Sequence, residues 1–211
     1  MEGVKCKGDG EVEEFRWGFK QENGTGTVGF EFLPCSIKTL NMILNVLSGT
    51  IQLADLPGKI EVVDVSFNNL IGCLDLDRLP AAVRSVDLSE NKFTGDISLE
   101  NLPKGLEILS LLNNQLSGTI CLTSLPTAFQ SLHLGRNNLE GSLDFTRLPT
   151  SICEMVLSEN RFSGTIDFGN LPESMWDLDV KKNAISGTIR LPHGIVIRFD
   201  GNDELTVERI E

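Results

Sequence analysis

The residues best able to do chemistry in this 211-residue chain are two histidines, five cysteines and a few regularly spaced aspartates. A histidine acts as a general base when a nucleophile sits within hydrogen-bonding reach. No Ser or Cys near His133 has a spacing that suggests one, so His133 reads as a surface contact residue; His193 is the other histidine. Asp75, Asp144 and Asp167 share one slot of a recurring pattern, and stacked carboxylates could hold Ca²⁺. Only Asp144 and Asp167 occupy adjacent units and no further ligands accompany them, so solvated carboxylates are expected. Cys35, Cys73, Cys121 and Cys153 fall at four different slots, and no cysteine spacing has the C-x-x-C form of a metal or redox site. They read as small buried apolar residues, with at least one thiol unpaired within the chain because five is odd. Gly24-x-Gly26-x-x-Gly29 matches a dinucleotide fingerprint in letters, but a phosphate cradle needs that loop between a strand and a helix start, and no helix pattern follows. Asn23-Gly24-Thr25 is the sole glycosylation sequon and matters only in a secreted chain. No catalytic residue, metal or cofactor is expected.

What must position any functional side chain here is a repeat. Leu-Pro pairs begin at Leu33, Leu56, Leu79, Leu102, Leu125, Leu148 and Leu171, a step of 23 residues without insertion. Asn45, Asn68, Asn91, Asn114, Asn137, Asn160 and Asn183 keep that step, as do Gly49, Gly72, Gly95, Gly118, Gly141, Gly164 and Gly187. The skeleton is L-P-x-x-L-x-x-L-x-L-x-x-N-x-L-x-G-x-I, clearest over 102–120, and it predicts a solenoid of stacked units forming one domain. Alternation around L-x-L, as in Val86-Asp87-Leu88, predicts a strand with its Leu-type residues inward. The Asn should be buried at the turn, its amide serving backbone groups of its own and the next unit. The Gly allows a positive φ where the chain bends back. After it, T-I-x-L alternates again without helical spacing, which predicts a short second strand on the convex side. The expected fold is therefore a β-rich solenoid, a right-handed superhelix with a concave parallel β-sheet, short convex strands and little or no helix.

The ends are irregular. Residues 1–32 are expected to form an N-terminal capping repeat, with Trp17 and Phe19 in the slots of Leu40 and Met42 and Glu22 in that of the Asn. Residues 33–193 hold seven 23-residue repeats, and 194–211 a C-terminal capping repeat and tail. There Ile197-Arg198-Phe199-Asp200-Gly201-Asn202 copies L-x-L-x-x-N four residues early, and the tail from Asp203 is charged and unpatterned. Eighteen Lys and Arg against thirty Asp and Glu give a net charge of −12, which argues against nucleic-acid binding and against anionic membrane surfaces. No apolar run reaches the length of a membrane span, so no direct membrane insertion is expected. The opening Met1-Glu2-Gly3-Val4-Lys5-Cys6 lacks an apolar signal core, so the chain is either cytosolic or begins after a removed signal peptide.

The skeleton L-x-x-L-x-L-x-x-N-x-L-x-G-x-I, over roughly residues 10–205, resembles that of leucine-rich-repeat proteins. The Ser-Gly-Thr-Ile variant at 117–120, 163–166 and 186–189 looks like the plant-type subclass of extracellular receptors, whose repeats continue with Ile-Pro and are one residue longer. The continuation into Leu-Pro more closely resembles leucine-rich surface proteins of kinetoplastids and other protists. Bacterial effector repeats also begin L-P-x-x-L but are shorter. The opening Gly3-Val4-Lys5-Cys6-Lys7-Gly8-Asp9-Gly10-Glu11-Val12 is similar to the end of a receptor-type N-terminal cap, in which the Cys pairs with an upstream Cys that this sequence lacks. The resemblance implies a non-catalytic module that binds a protein or peptide through the concave sheet, at a cell surface or outside the cell, as a monomer. A cytosolic scaffold or regulatory protein is the alternative. The outward row would be Asn41, Asp64, Asp87, Ser110, His133, Val156 and Asp179, with a second row including Ile43-Leu44, Ser66-Phe67, Leu112-Asn113, Gly135-Arg136 and Lys181-Lys182. The residues expected to contact a ligand are Val62, Asp64, Phe67, Asp87, Ile108, Ser110, Leu112, His133, Arg136, Val156 and Asp179. Val62, Phe67, Ile108, Leu112 and Val156, with Ile43 and Leu44, are apolar at slots a structural repeat does not require to be apolar, which predicts an apolar patch toward the N-terminal half.

Overall fold

The structure, a computed structural model, describes residues 3–20, 24–168, 171–190 and 195–208. Each turn contributes one strand to a ten-stranded sheet and one to a nine-stranded sheet. Strands such as Val62–Asp64, Ser85–Asp87, Ile108–Ser110 and Ser131–His133 pair in parallel, residue for residue, at the 23-residue step. Because side chains alternate along a strand, this register stacks every central residue on one line. Leu40, Val63, Val86, Leu109, Leu132, Met155 and Leu178 form that line, each fully buried. Leu70, Phe93, Leu116, Leu139, Phe162 and Ile185 meet them from the opposite sheet, also fully buried. Parallel pairing buried on its inner face throughout gives one continuous core.

The second strand starts earlier than the T-I-x-L alternation suggests. It occupies Val46–Gly49 and Asn69–Gly72, before the Thr-Ile, and reaches the Thr only in turns such as Gln115–Thr119 and Arg161–Thr165. The residues after the Gly instead turn a corner, burying Ile51 and Leu53, Leu74 and Leu76, or Ile97 and Leu99. In three turns that corner is a one-turn 3₁₀ segment, at Phe30–Phe32, Leu53–Asp55 and Leu76–Arg78; among the described residues there is no α-helix.

The asparagine ladder closes each turn onto its predecessor. Asn68 donates Nδ2 to the carbonyls of Val65 and Ser66 in its own turn and of Met42 in the turn before, and its Oδ1 accepts the N–H of Leu47. The same set recurs at Asn91, Asn114 and Asn137. The partner is thus the preceding unit rather than the next one. Gly49 to Gly187 hold φ between 80° and 106° at the repeat positions, where any side chain would be strained.

The N-terminal unit is offset. Phe15, not Trp17, pairs with Leu40, and Trp17 and Phe19 donate their N–H groups to Asn41 and Ile43. The reason is an antiparallel hairpin, Val4–Cys6 against Val12–Arg16, which starts the ten-stranded sheet and sets its own register. The slot assigned to Glu22 lies outside the described residues. At the other end Ile197 pairs with Leu178, and Asn202 takes the ladder role toward Val180 and Ile185. The tail is patterned after all: Glu204–Glu208 pairs over five residues with Ala184–Arg190. Leu191, Pro192 and His193 lie outside the described residues. The cysteines are not buried: Cys6, Cys35 and Cys73 are exposed, Cys121 and Cys153 half-buried, and all five are unbridged.

Candidate functional site

The outer face of the ten-stranded sheet carries the residues picked out by the repeat, but its turns are built in two different ways. In three successive turns the outward residue is an Asx side chain that folds over its own backbone. Asp64 Oδ1 accepts the N–H of Ser66 at 3.1 Å and its hydroxyl at 2.6 Å. Asp87 does the same for Ser89 at 3.0 and 2.6 Å. Asn41 reaches the N–H of Ile43 at 3.4 Å and donates to Asp64 at 2.9 Å. Asp179 caps Lys181 in the same way, at 3.1 Å. Such side-chain caps satisfy backbone donors that the parallel ladder leaves open. Asp64, Asp87 and Asp179 therefore have a structural duty.

Between these turns lie three in which the slot holds Ser110, His133 and Val156, none of which caps. The N–H groups of Leu112, Gly135 and Ser158 are the counterparts of those of Ser66 and Ser89, and Gly135 and Ser158 are themselves buried. None of the three has an acceptor among the described residues. The flanking side chains are apolar. Leu112 and Val156 close over Gly135, where an added Cβ would come within 3.0 Å of Leu112 Cδ1 and 3.2 Å of Val156 Cγ1. Ile108 stands on the same turn as Leu112 and is exposed. His133 is half-buried, with Nε2 3.3 Å from Glu154 Oε2 but forming no hydrogen bond to it.

Two residues expected to be exposed are not. Ser110 is only 6% accessible, its short side chain lying in register between the longer Asp87 and His133. Asp179 is also 6% accessible, held by Lys181 at 3.4 Å and by Arg198 Nε at 3.4 Å, while Arg198 Nη2 reaches Asp177 at 2.7 Å. The contact between Arg198 and Asp177, and then the nearby Asp179, raise the guanidinium pKa further. Val62 is half-buried on the Asp64 strand, and Phe67 is exposed. The predicted apolar patch divides in two, because Ser85, Asp87, Ser89 and Glu90 interpose a polar turn between Phe67 and Leu112.

Arg136 and Lys182 stand either side of Glu159, at 3.6 and 3.3 Å. Hydrogen bonding from Lys182, with the added attraction of Arg136, holds the Glu159 carboxyl below the usual glutamate range. Sequence reasoning missed two features that keep the same step. The residue before each ladder asparagine is left-handed, from Leu44 at φ 55° to Lys182 at φ 50°. Along one rim, charges alternate at that step through Lys38, Glu61, Arg84 and Glu107, with Glu13 standing 25 residues before Lys38; Lys38–Glu61 lie at 3.1 Å and Arg84–Glu107 at 2.9 Å. Among the described residues, no group of three or more His, Cys, Asp or Glu could hold a metal ion. Asp144 is occupied by the hydroxyl and N–H of Thr146, which lower its pKa, and Asp75 lies 3.5 Å from Arg78.

This architecture is the leucine-rich-repeat solenoid. No family model and no curated protein matches the chain. Solved structures do. YopM from Yersinia enterocolitica is similar at 25% identity and TM-score 0.60, covering 85% of this chain and 40% of its own. The Arabidopsis receptor kinase HAESA, solved with the peptide hormone IDA and the co-receptor SERK1, gives 23% identity and TM-score 0.64, covering 87% and 36%. A plant ice-binding protein gives 18% identity and TM-score 0.54, covering 92% and 79%. The chain thus spans well under half the length of the first two.

Proposed function

We propose that the chain is a non-catalytic recognition module that binds a protein or peptide on the outer face of its ten-stranded sheet, over the turns of Ser110, His133 and Val156. The observation that carries this reading is the run of three N–H donors, at Leu112, Gly135 and Ser158, left without acceptors among the described residues beside Ile108, Leu112 and Val156. Backbone donors seek partners, and a peptide supplies carbonyl oxygens together with apolar side chains. Arg136 and Lys182 border the strip and would add contacts to acidic groups. Peptide binding by HAESA supports the reading as a precedent of fold. The ice-binding neighbour is the reminder that the fold alone does not name a ligand. The working unit is a monomer.

The test is a pull-down with the intact chain against a Ser110→Asp, Val156→Asp variant. Those changes install the cap that Asp64 and Asp87 already provide, so the fold is kept while two of the three donors, at Leu112 and Ser158, are consumed. A partner retained by both proteins would move the site elsewhere. On compartment, the family resemblance supports a cell surface, whereas five unbridged cysteines support a reducing environment. Titration of thiols on protein from its natural source separates these, since an oxidised surface protein would show fewer than five.

A further inference from the structure

The left-handed slot before each ladder asparagine strains bulky side chains and suits Asn or Gly. From the fourth turn on it holds Glu90, Asn113, Arg136, Glu159 and Lys182. The second and third turns place Leu44 and Phe67 there, at φ 55° and 53°, and the first turn holds Phe19 left-handed at the equivalent point before Lys20, at φ 61°. Phe19 is 71% exposed and Phe67 45%, so core packing does not account for either ring. Backbone and solvent both disfavour these side chains, which points to a role outside the chain's own fold.

Next to Phe19 opens a cleft of about 540 Å³ lined by Arg16, Trp17, Gly18, Lys20, Asn41 and Ile43. It contains two cations and no carboxylate, in a chain of net charge −12. Glu14 engages Arg16 at 3.0 Å, and Lys20 has no ion-pair partner among the described residues. Arg16 fills the slot that Asn41 and Asp64 occupy in the next turns, so the Gly18 N–H lacks their cap and has no acceptor among the described residues. A Cβ at Gly18 would meet Ile43 Cγ2 at 2.9 Å, so the backbone itself forms the cleft wall. An apolar ridge, a lysine unpaired among the described residues and an open donor describe one kind of occupant.

We infer that this N-terminal cleft and ridge form a second docking site, for an extended segment of a protein partner that presents a large apolar side chain flanked by carboxylates. It is separate from the central strip and does not depend on it. The chain's two tryptophans are Trp17 and Trp176, so Trp176→Phe leaves Trp17, in the cleft wall, as the only fluorophore of its kind. Two end-blocked probes are titrated: Asp-Leu-Phe-Asp and Lys-Leu-Phe-Lys. The acidic probe should change Trp17 emission saturably and the basic probe should not. Phe19→Asn with Phe67→Asn suits the left-handed backbone, so urea unfolding should show no loss of stability, yet binding should weaken by about tenfold or more. Lys20→Glu should weaken it as well, and Val156→Asp should leave it unchanged. Equal responses to the two probes, no saturable response to either, or full binding by the double Asn variant would overturn the proposal. Loss of binding in Val156→Asp would also overturn it, by placing the probe on the central strip.

Discussion

The turns of Asp64 and Asp87 and those of Ser110, His133 and Val156 share a framework and differ on their outer face. Both have the asparagine ladder, the positive-φ glycine and the fully buried central residue. Only the first group closes its outward backbone with a side-chain carboxylate. A solenoid turn can therefore be finished from within or left open, and the choice rests on one residue. Stability lives in the shared part and the proposed recognition in the variable part, which would let one change without the other.

The largest effect tests the shared part. Asn91→Ala and Asn137→Ala should each cost about 3 kcal/mol in urea unfolding, because each strands several buried backbone groups. Clearly unequal costs would break the premise that the framework is common to both regions. Smaller effects test the difference. Asp87→Ala should cost about 1 kcal/mol through loss of its cap, while Val156→Ala should leave the backbone hydrogen bonds untouched. Val156→Asp should be neutral or stabilising, and a large loss of stability there would show that the slots are not equivalent.

Next in size is a charge effect confined to the open region. The Glu159 carboxyl titrates below its ordinary range when folded, so the stability it contributes is complete above the unfolded value and lost as pH falls through the folded one. Lys182→Gln should raise its titration midpoint, as followed by carboxyl NMR, and an unmoved midpoint would mean that Lys182 is not the cause. Smallest is the rim: a double-mutant cycle on Arg84 and Glu107 should give about 0.5 kcal/mol or less, falling with added salt.

Much of this was legible in the sequence because a repeat multiplies each signal. The ladder asparagines, the glycines and even the displaced Asn202 follow from spacing alone. The offset of Phe15 was not legible, because a hairpin with its own register carries no 23-residue copy to compare with. The burial of Ser110 and Asp179 depends on the sizes and charges of neighbours one turn away, which an alternation pattern does not weigh. The caps had a readable trace, since Asp64-Val65-Ser66 and Asp87-Leu88-Ser89 share Asp-x-Ser while Ser110, His133 and Val156 break it. The left-handed slot left none: Phe19, Leu44 and Phe67 are residues that conformation would not suggest.

The direction of the asparagine ladder has a consequence for biosynthesis. The N–H of Leu47 finds its acceptor only in Asn68, and that of Leu70 only in Asn91. A polypeptide emerging from the ribosome makes the earlier turn first, so the newest turn always waits with an open N–H donor for an amide not yet translated. The nascent chain is thus sealed one turn behind the point of synthesis.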